Sequence, residues 1–153
     1  MQKELTIDHV LRATWQAVAK MYNEQAIKHN SSMAMAFVLL TIDKENGTPS
    51  TALGPLMGME PTSLSRILKS MEERGAIYRE KNPNDGRGVL IKLTPFGLEK
   101  RNISKEHVLK FNNTVHKHIS QEKINHFMEV SATINKLISD KAIFKELIKK
   151  SKK

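Results

Sequence analysis

The sequence predicts an α+β fold that is mainly helical and contains one β-hairpin. Apolar residues recur at steps of three and four over most of the 153-residue chain, which is the period of a helix. One segment, residues 76–93, changes to the alternating period of strands. The run Asn-Pro-Asn-Asp-Gly at residues 82–86 interrupts that segment with dense turn chemistry, so its two halves are predicted to pair as a hairpin.

The composition excludes several classes of protein. The chain has 25 Lys and Arg residues against 16 Asp and Glu, a formal net charge of +9 at pH 7, and no cysteine. A disulfide scaffold, a thiolate-bound metal and a thiol redox switch are therefore excluded. No apolar run approaches the roughly 18 residues of a membrane span. Charged residues interrupt the N-terminal segment, so we expect no signal peptide and a cytoplasmic location. So basic a protein suggests a polyanion as its partner.

Two helices are predicted before the first strong helix terminator. The first covers residues 6–30, where no Pro or Gly interrupts the apolar stripe. The second covers residues 33–42 and follows Ser31 and Ser32, which are good N-cap residues. The dipeptide Asn46-Gly47 stops it.

A helix, a short turn and a second helix follow. Residues 53–57 form a short helix that ends at Gly58, and Pro61 suits the first position of the next helix, over 60–74. In a helix-turn-helix motif the second helix lies in a DNA groove and the first crosses the backbone. Pro55 lies inside the first helix, where proline costs about 3 kcal/mol, so we expect that helix to be short or irregular.

The helix predicted over residues 60–74 has two unlike faces. One face has the i, i+3, i+4, i+7 spacing of a core-facing helix and consists of Leu64, Ile67, Leu68 and Met71. The opposite face consists of Thr62, Ser65, Arg66, Lys69 and Glu73. The side chains of its first turn are small and polar, and an arginine follows. Small side chains allow a helix to enter a major groove about 12 Å wide. The alternative is a face that is merely solvated.

The predicted hairpin has an arginine at its tip. The tip is Asp85-Gly86-Arg87, and Arg79 and Lys81 lie on the incoming strand. A two-stranded wing of this kind can place an arginine in a minor groove, where narrow A·T tracts concentrate negative potential. We expect the Asp85 carboxylate to pair with the Arg87 guanidinium and aim it. The alternative is that Asp85 serves the turn alone.

The terminal segments predict a dimerisation region. Residues 1–33 and 102–153 carry longer apolar stripes than a central domain of residues 34–101 can cover. A second copy of the chain solves this problem, so we predict a homodimer with a helical arm built from both termini. A monomeric bundle that wraps on itself is the alternative. The chain ends in a lysine tail that we expect to be solvated: Lys149, Lys150, Lys152 and Lys153.

No metal, cofactor or catalytic site is predicted. His116 and His118 are two residues apart and lie on different faces of a helix, and His107 and His126 are far from them in the sequence. Solvated helix histidines are the better interpretation. The sequence has no Gly-rich phosphate loop, nucleophile elbow or carboxylate pair in a polar setting, so we do not expect an enzyme.

The combination of motifs resembles the multiple antibiotic resistance regulator (MarR) family of bacterial winged-helix transcription factors. Four stretches carry the resemblance: Glu60-Pro61-Thr62-Ser63-Leu64-Ser65-Arg66, Met71-Glu72-Glu73-Arg74-Gly75-Ala76-Ile77, Asp85-Gly86-Arg87 and Leu93-Thr94-Pro95-Phe96-Gly97. They are similar to the family's recognition-helix start, helix exit, wing and entry to the fifth helix. Two positions depart from the family pattern: Gly54-Pro55, where helix formers are usual, and Glu60, where a serine cap is common.

The resemblance implies a homodimer that binds palindromic operator DNA, usually as a repressor relieved by a small ligand. The turn over residues 62–65, which includes Ser63, and Arg66 would contact bases, and Arg87 would be the wing arginine. Effectors of the family bind between arm and winged domain, where Trp15 and Tyr22, seven residues apart on one helical face, are candidates for lining a cavity. Ordinary packing is the alternative for these two rings. A basic winged module that docks proteins is the alternative function.

Overall fold

The structure is a computed structural model that describes residues 5–152. Residues 1–4 of the predicted dimerisation region and Lys153 of the lysine tail lie outside the described residues. The elements are, in order, α1 (Ile7–Ile27), α2 (Met33–Thr41), β1 (Thr48–Pro49), α3 (Ser50–Met57), α4 (Pro61–Glu73), β2 (Ile77–Lys81), β3 (Val89–Leu93), α5 (Pro95–His118), α6 (Gln121–Ser139) and α7 (Lys145–Ser151). The predicted α+β, mainly helical fold class is confirmed.

The sheet has three antiparallel strands in the order β1-β3-β2. The predicted hairpin forms its larger part, with Ile77 opposite Leu93. The short strand β1, which the sequence did not predict, pairs Thr48 with Ile91. Two residues are too few to show an alternating pattern. Pro49 is tolerated in β1 because this strand lies at the edge of the sheet.

Side-chain caps fix the connection between α1 and α2. The Ser32 Oγ accepts a hydrogen bond from the Met35 N–H at 3.2 Å, and the Asn23 Oδ1 accepts one from the Met33 N–H at 2.9 Å. Asn30, between the two helices, has a φ of +53°, a left-handed conformation that asparagine adopts more readily than most residues. The chain therefore turns at a defined point before α2.

α3 retains helical geometry for eight residues although Pro55 lies inside it. It ends at Gly58, which has a φ of +60°, and the Met59 N–H donates back to the Gly54 carbonyl at 3.0 Å. This is a left-handed glycine cap. The prediction of a short helix is confirmed, and the helix begins earlier than predicted, at Ser50.

The hydrophobic core lies among α2, α3, α4 and the sheet. Its buried residues are Val38, Leu39, Ile42, Leu53, Leu64, Leu68, Met71, Ala76, Ile77 and Ile91. The apolar face predicted for α4 is confirmed, because three of its four residues are buried and Ile67 packs against the same cluster half-buried. One side of α4 is thereby anchored along its whole length.

Gly97 joins the hairpin to α5. The Thr94 Oγ1 donates to the Gly75 carbonyl at 2.5 Å and accepts from the Gly97 N–H at 3.0 Å, so it caps α5. A Cβ atom at Gly97 would lie 1.8 Å from the Ala76 carbonyl oxygen, closer than any real contact. The Thr-Pro-Phe-Gly sequence therefore ends in glycine because the backbone of Ala76 occupies the space of a side chain.

The chain divides into two compact units, Met1–Leu109 and Lys110–Lys153, with the boundary inside α5. In the second unit the Ser120 Oγ caps α6 by accepting from the Lys123 N–H at 3.3 Å. Ile124 is buried, whereas the α6 residues Phe127 and Ile138 are exposed. Within residues 5–152 no helix has the length and apolarity that crossing a bilayer requires.

Candidate nucleic-acid interface

The polar face of α4 is exposed. The predicted DNA contacts on this helix, Thr62, Ser63, Ser65, Arg66 and Lys69, all face solvent, while the opposite side is part of the core. In the described chain neither Arg66 nor Lys69 takes part in an ion pair. Both cations are therefore available to contact phosphates or bases. The helix that carries them is held in position because its opposite side packs in the core.

The N-terminus of α4 is weakly capped. Glu60 is the N-cap residue, but its side chain makes no capping hydrogen bond. Pro61 lacks an N–H, which is no loss at the first position of a helix. The N–H groups of Thr62 and Ser63 have no acceptor within the helix, and the partial positive charge of this end attracts a phosphate. The Glu60 carboxylate opposes that attraction.

The wing tip is built by backbone hydrogen bonds. The Asn82 N–H donates to the Gly88 carbonyl at 3.0 Å, which closes the loop. The Asp85 Oδ1 accepts a hydrogen bond from the backbone N–H of Arg87 at 3.1 Å. The predicted pairing of Asp85 with the Arg87 guanidinium is wrong, because none of the ion pairs within residues 5–152 joins them. Asp85 shapes the turn, and the exposed Arg87 side chain makes no ion pair with any residue from 5 to 152.

Arg79 links the wing to α4. Its Nε lies 3.3 Å from the Glu72 Oε2 of α4, and the two side chains are 38% and 43% exposed. Arg79 shares its face of β2 with the buried Ile77 and with Lys81, because side chains alternate along a strand. Lys81 has no ion pair among the residues the structure describes. The charge of Arg79 is thus partly neutralised, while that of Lys81 is not.

A second ion pair lies on the opposite face of the hairpin. The Lys92 Nζ is 2.8 Å from the Glu80 Oε2, and this hydrogen bond raises the pKa of Lys92. The pair crosses between neighbouring strands and therefore ties β2 to β3. The two faces of the wing are each braced by one ion pair.

A groove of about 660 Å³ separates α3 from α4 and reaches β2. Ser65 and Arg79 both line it, as does Pro55. The structure therefore brings the base of the wing next to the first turns of α4. Arg87 is not among the groove residues, since it lies at the far end of the hairpin.

The sequence is similar to known regulators. A family model for the MarR family matches residues 32–89, which contain the helix-turn-helix and most of the wing. The HTH-type transcriptional regulator SarZ of Staphylococcus haemolyticus is 27% identical over 89 residues, which cover 58% of this chain and 60% of SarZ. The organic hydroperoxide resistance transcriptional regulator of Bacillus subtilis is 28% identical over 97 residues, which cover 63% of this chain and 66% of the relative. Each match thus spans less than two thirds of the relative's length.

Solved structures share the fold over nearly the whole chain. The Staphylococcus aureus MepR–DNA complex has a TM-score of 0.76 at 16% identity and covers 90% of this chain and 99% of that one. The transcriptional regulator SlyA has a TM-score of 0.78 at 18% identity and covers 90% and 96%. The chain therefore resembles the MarR family over its winged helix-turn-helix, within residues 32–89. The predicted winged helix-turn-helix fold is thereby confirmed.

The two candidate effector residues have different surroundings. Tyr22 is partly buried, which raises the pKa of its hydroxyl, and its ring meets that of Phe37 edge to face at a centroid distance of 6.2 Å. Tyr22 lines a small cavity of about 30 Å³. Trp15 is 52% exposed and is not among the residues lining that cavity. The structure does not bring these two rings together in one cavity.

A larger cleft in the same unit was not predicted from sequence. It measures about 740 Å³, and Arg74, Phe96 and Lys100 line it. The Arg74 Nη1 donates to the Asn30 carbonyl at 2.6 Å, and the Lys100 Nζ lies 5.4 Å from the centre of the Phe96 ring. The cleft therefore combines two cations with apolar walls. Its residues come from segments far apart in the sequence, so no local motif could have indicated it.

Proposed function

We propose that this chain is a sequence-specific DNA-binding transcriptional regulator of the MarR type, and not an enzyme, and that it acts in the cytoplasm. One observation carries the proposal. Within the part of the chain that the structure describes, a helix anchored by its apolar side presents hydroxyl groups and unpaired cations to solvent, next to a hairpin with an unpaired arginine at its tip. That arrangement fits a major groove and the neighbouring minor groove of one duplex.

Four of the exposed cations have proposed roles in DNA binding. Arg66 is suited to donate two hydrogen bonds to the O6 and N7 of a guanine, the commonest specific contact of arginine. Lys69 and Lys81 are point charges suited to phosphates. Arg87 is proposed to enter the minor groove, with Asp85 fixing the turn that carries it. The residues proposed at the DNA interface are Thr62, Ser63, Ser65, Arg66, Lys69, Arg79, Lys81, Asp85 and Arg87.

We propose that the functional form is a homodimer whose dimerisation region is residues 1–33 and 102–153, flanking the DNA-binding domain of residues 34–101. Large apolar side chains are exposed on both terminal segments. Those on the first helix and its approach include Leu5, Ile7, Val10, Leu11 and Trp15, and those on the last two helices include Phe127, Met128, Val130, Leu137, Ile138 and Leu147. A second copy would cover such surfaces. Its two-fold axis would set half-sites about 34 Å apart, and the operator would then be palindromic.

We propose that a small ligand relieves repression by binding near the junction of α1, α2 and α5. Two features support this: the cleft of about 740 Å³, and the partly buried Tyr22, which lines the adjoining cavity of about 30 Å³. Trp15 is exposed and would contribute only if the partner subunit covers it. Such a ligand would act by binding one arrangement of the DNA-reading helices better than another.

Selection of bound duplexes from a random pool tests the proposal. We expect a two-fold symmetric consensus whose half-sites are one helical turn apart, and an affinity that falls steeply as salt rises. Binding without any consensus, at equal strength to all duplexes, would contradict sequence-specific regulation. No salt-sensitive binding to any duplex would favour a module that docks proteins.

A further inference from the structure

Two histidines that are distant in the sequence meet in the first compact unit. His29 lies in the connection between α1 and α2, and His107 lies on α5. Their ring centroids are 5.5 Å apart with an angle of 44° between the planes. Both side chains are partly buried. Spacing along the chain does not predict this pair, because no spacing rule connects a loop residue with a residue of a later helix.

The separation of the rings suits a shared metal ion. A zinc–nitrogen bond is about 2.0–2.1 Å long, so two imidazoles on one tetrahedral ion have ring centroids roughly 5 Å apart. Neutral imidazole is a good ligand for zinc, copper and nickel. The chain has no cysteine, so no thiolate competes with histidine for such an ion. The distance of 5.5 Å between the two rings is close to that requirement.

The space beside the rings is the size of an ion. Both histidines line the cavity of about 30 Å³, which has room for one or two water molecules and not for an organic ligand. The hydroxyl-bearing residues Ser31 and Ser104 line it as well, as does Tyr22. An ion bound between the two rings would need water to complete its coordination, since no group of three or more His, Asp or Glu residues within residues 5–152 is placed to hold a metal.

The backbone on both sides of the pair is fixed. The His29 N–H donates to the Ala26 carbonyl at 3.0 Å, and its carbonyl accepts from the Lys100 Nζ at 3.4 Å. His107 is held in the middle of α5. A site with fixed ligands loses little entropy when it binds. The Lys100 ammonium also lines the cavity and repels a cation, so the affinity is expected to be modest.

We propose that His29 and His107 form a binding site for one divalent transition-metal ion, such as Zn²⁺ or Ni²⁺. The ion would tie the connection between α1 and α2 to α5. Because the folded chain alone holds the two rings together, binding would stabilise it by mass action. The proposal stands on the ring geometry and is independent of DNA binding.

Titration calorimetry of the metal-free, full-length protein with ZnCl₂ and with NiCl₂ tests the site. We expect one ion per chain and a rise in the midpoint of thermal unfolding. The variants His29→Gln and His107→Gln should each weaken binding by at least about tenfold, because loss of an outer-shell partner alone costs that much. Thermal unfolding of both variants without metal checks that they fold.

The matched control is the double variant His116→Gln with His118→Gln, which removes two exposed histidines from the end of α5. It should bind the ion as the unaltered protein does. Binding that survives unchanged in His29→Gln and His107→Gln would overturn the proposal, and so would binding that is lost in the control. So would the absence of any binding by the unaltered protein at millimolar metal.

Discussion

The central winged region and the terminal helices use their apolar residues in opposite ways. The described residues of the core cluster all lie between Val38 and Ile91. On the terminal helices the large apolar side chains are mostly exposed, and Ala26 and Ile124 are the buried exceptions among the described residues. The winged region buries its apolar residues in its own core, so its surface is polar and can bind a polar partner. The terminal helices leave their apolar residues exposed, so a second protein surface is needed to cover them.

The largest effect should come from the same substitution made once in each region. Leu53 is 0% exposed and Leu137 is 45% exposed. Leu53→Ala leaves a cavity in the core and should lower the free energy of unfolding by about 2–5 kcal/mol. Leu137→Ala should change the stability of the folded chain itself by no more than about 0.5 kcal/mol. Chemical denaturation at several protein concentrations measures both.

The concentration dependence separates the two regions further. Leu137→Ala should weaken self-association, which sedimentation equilibrium measures, if the exposed face of α6 is covered by a second copy. Leu53→Ala should leave the association of the remaining folded chains unchanged. An unaltered dimer in Leu137→Ala and in a companion Phe127→Ser variant would place the dimer interface elsewhere.

Gly97→Ala should have the next largest effect on stability. The new Cβ would lie 1.8 Å from the Ala76 carbonyl oxygen, so the start of α5 must move away from the hairpin. Overpacking of this kind costs about 1–3 kcal/mol. Gly86→Ala is the control, because a Cβ there meets no atom within 4 Å. Equal stability of the two variants in urea would show that the contact at Gly97 yields without cost.

Arg66→Ala tests the polar surface of the winged region. Loss of a bidentate contact to guanine should weaken operator binding by about 1–3 kcal/mol and relax the preference at one base position. Lys20→Ala, which removes an exposed cation from α1, should leave site choice intact. Fluorescence anisotropy at one fixed salt concentration measures both, and an equal loss on random and operator DNA would remove Arg66 from the role of reading bases.

The two regions also differed in how far the sequence could predict them. The apolar face of α4 and the hairpin follow from local periodicity and turn chemistry, and the entry to α5 is what the family resemblance implies; the structure contains all three. Strand β1 was not predicted because two residues are too few to show the alternating pattern of a strand. The Arg79–Glu72 pair and the cleft beside Arg74 depend on tertiary contacts, which spacing along the chain does not encode. For Asp85 the sequence predicted the turn correctly, but the hydrogen-bond donor is the backbone N–H of Arg87 and not its guanidinium.

The smallest expected effect concerns the link between wing and helix. Glu72→Gln, Arg79→Gln and the double variant form a double-mutant cycle. An exposed pair of this kind couples by about 0.2–1 kcal/mol in stability. If Arg79 positions the wing through Glu72, both single variants should weaken DNA binding modestly, and the double variant should bind no worse than either. If Arg79 instead contacts a phosphate, Glu72→Gln releases its full charge and should tighten binding, and Arg79→Gln should reduce the salt dependence by about one ion. The sign of the Glu72→Gln effect on DNA affinity therefore decides whether Arg79 positions the wing or contacts the DNA itself.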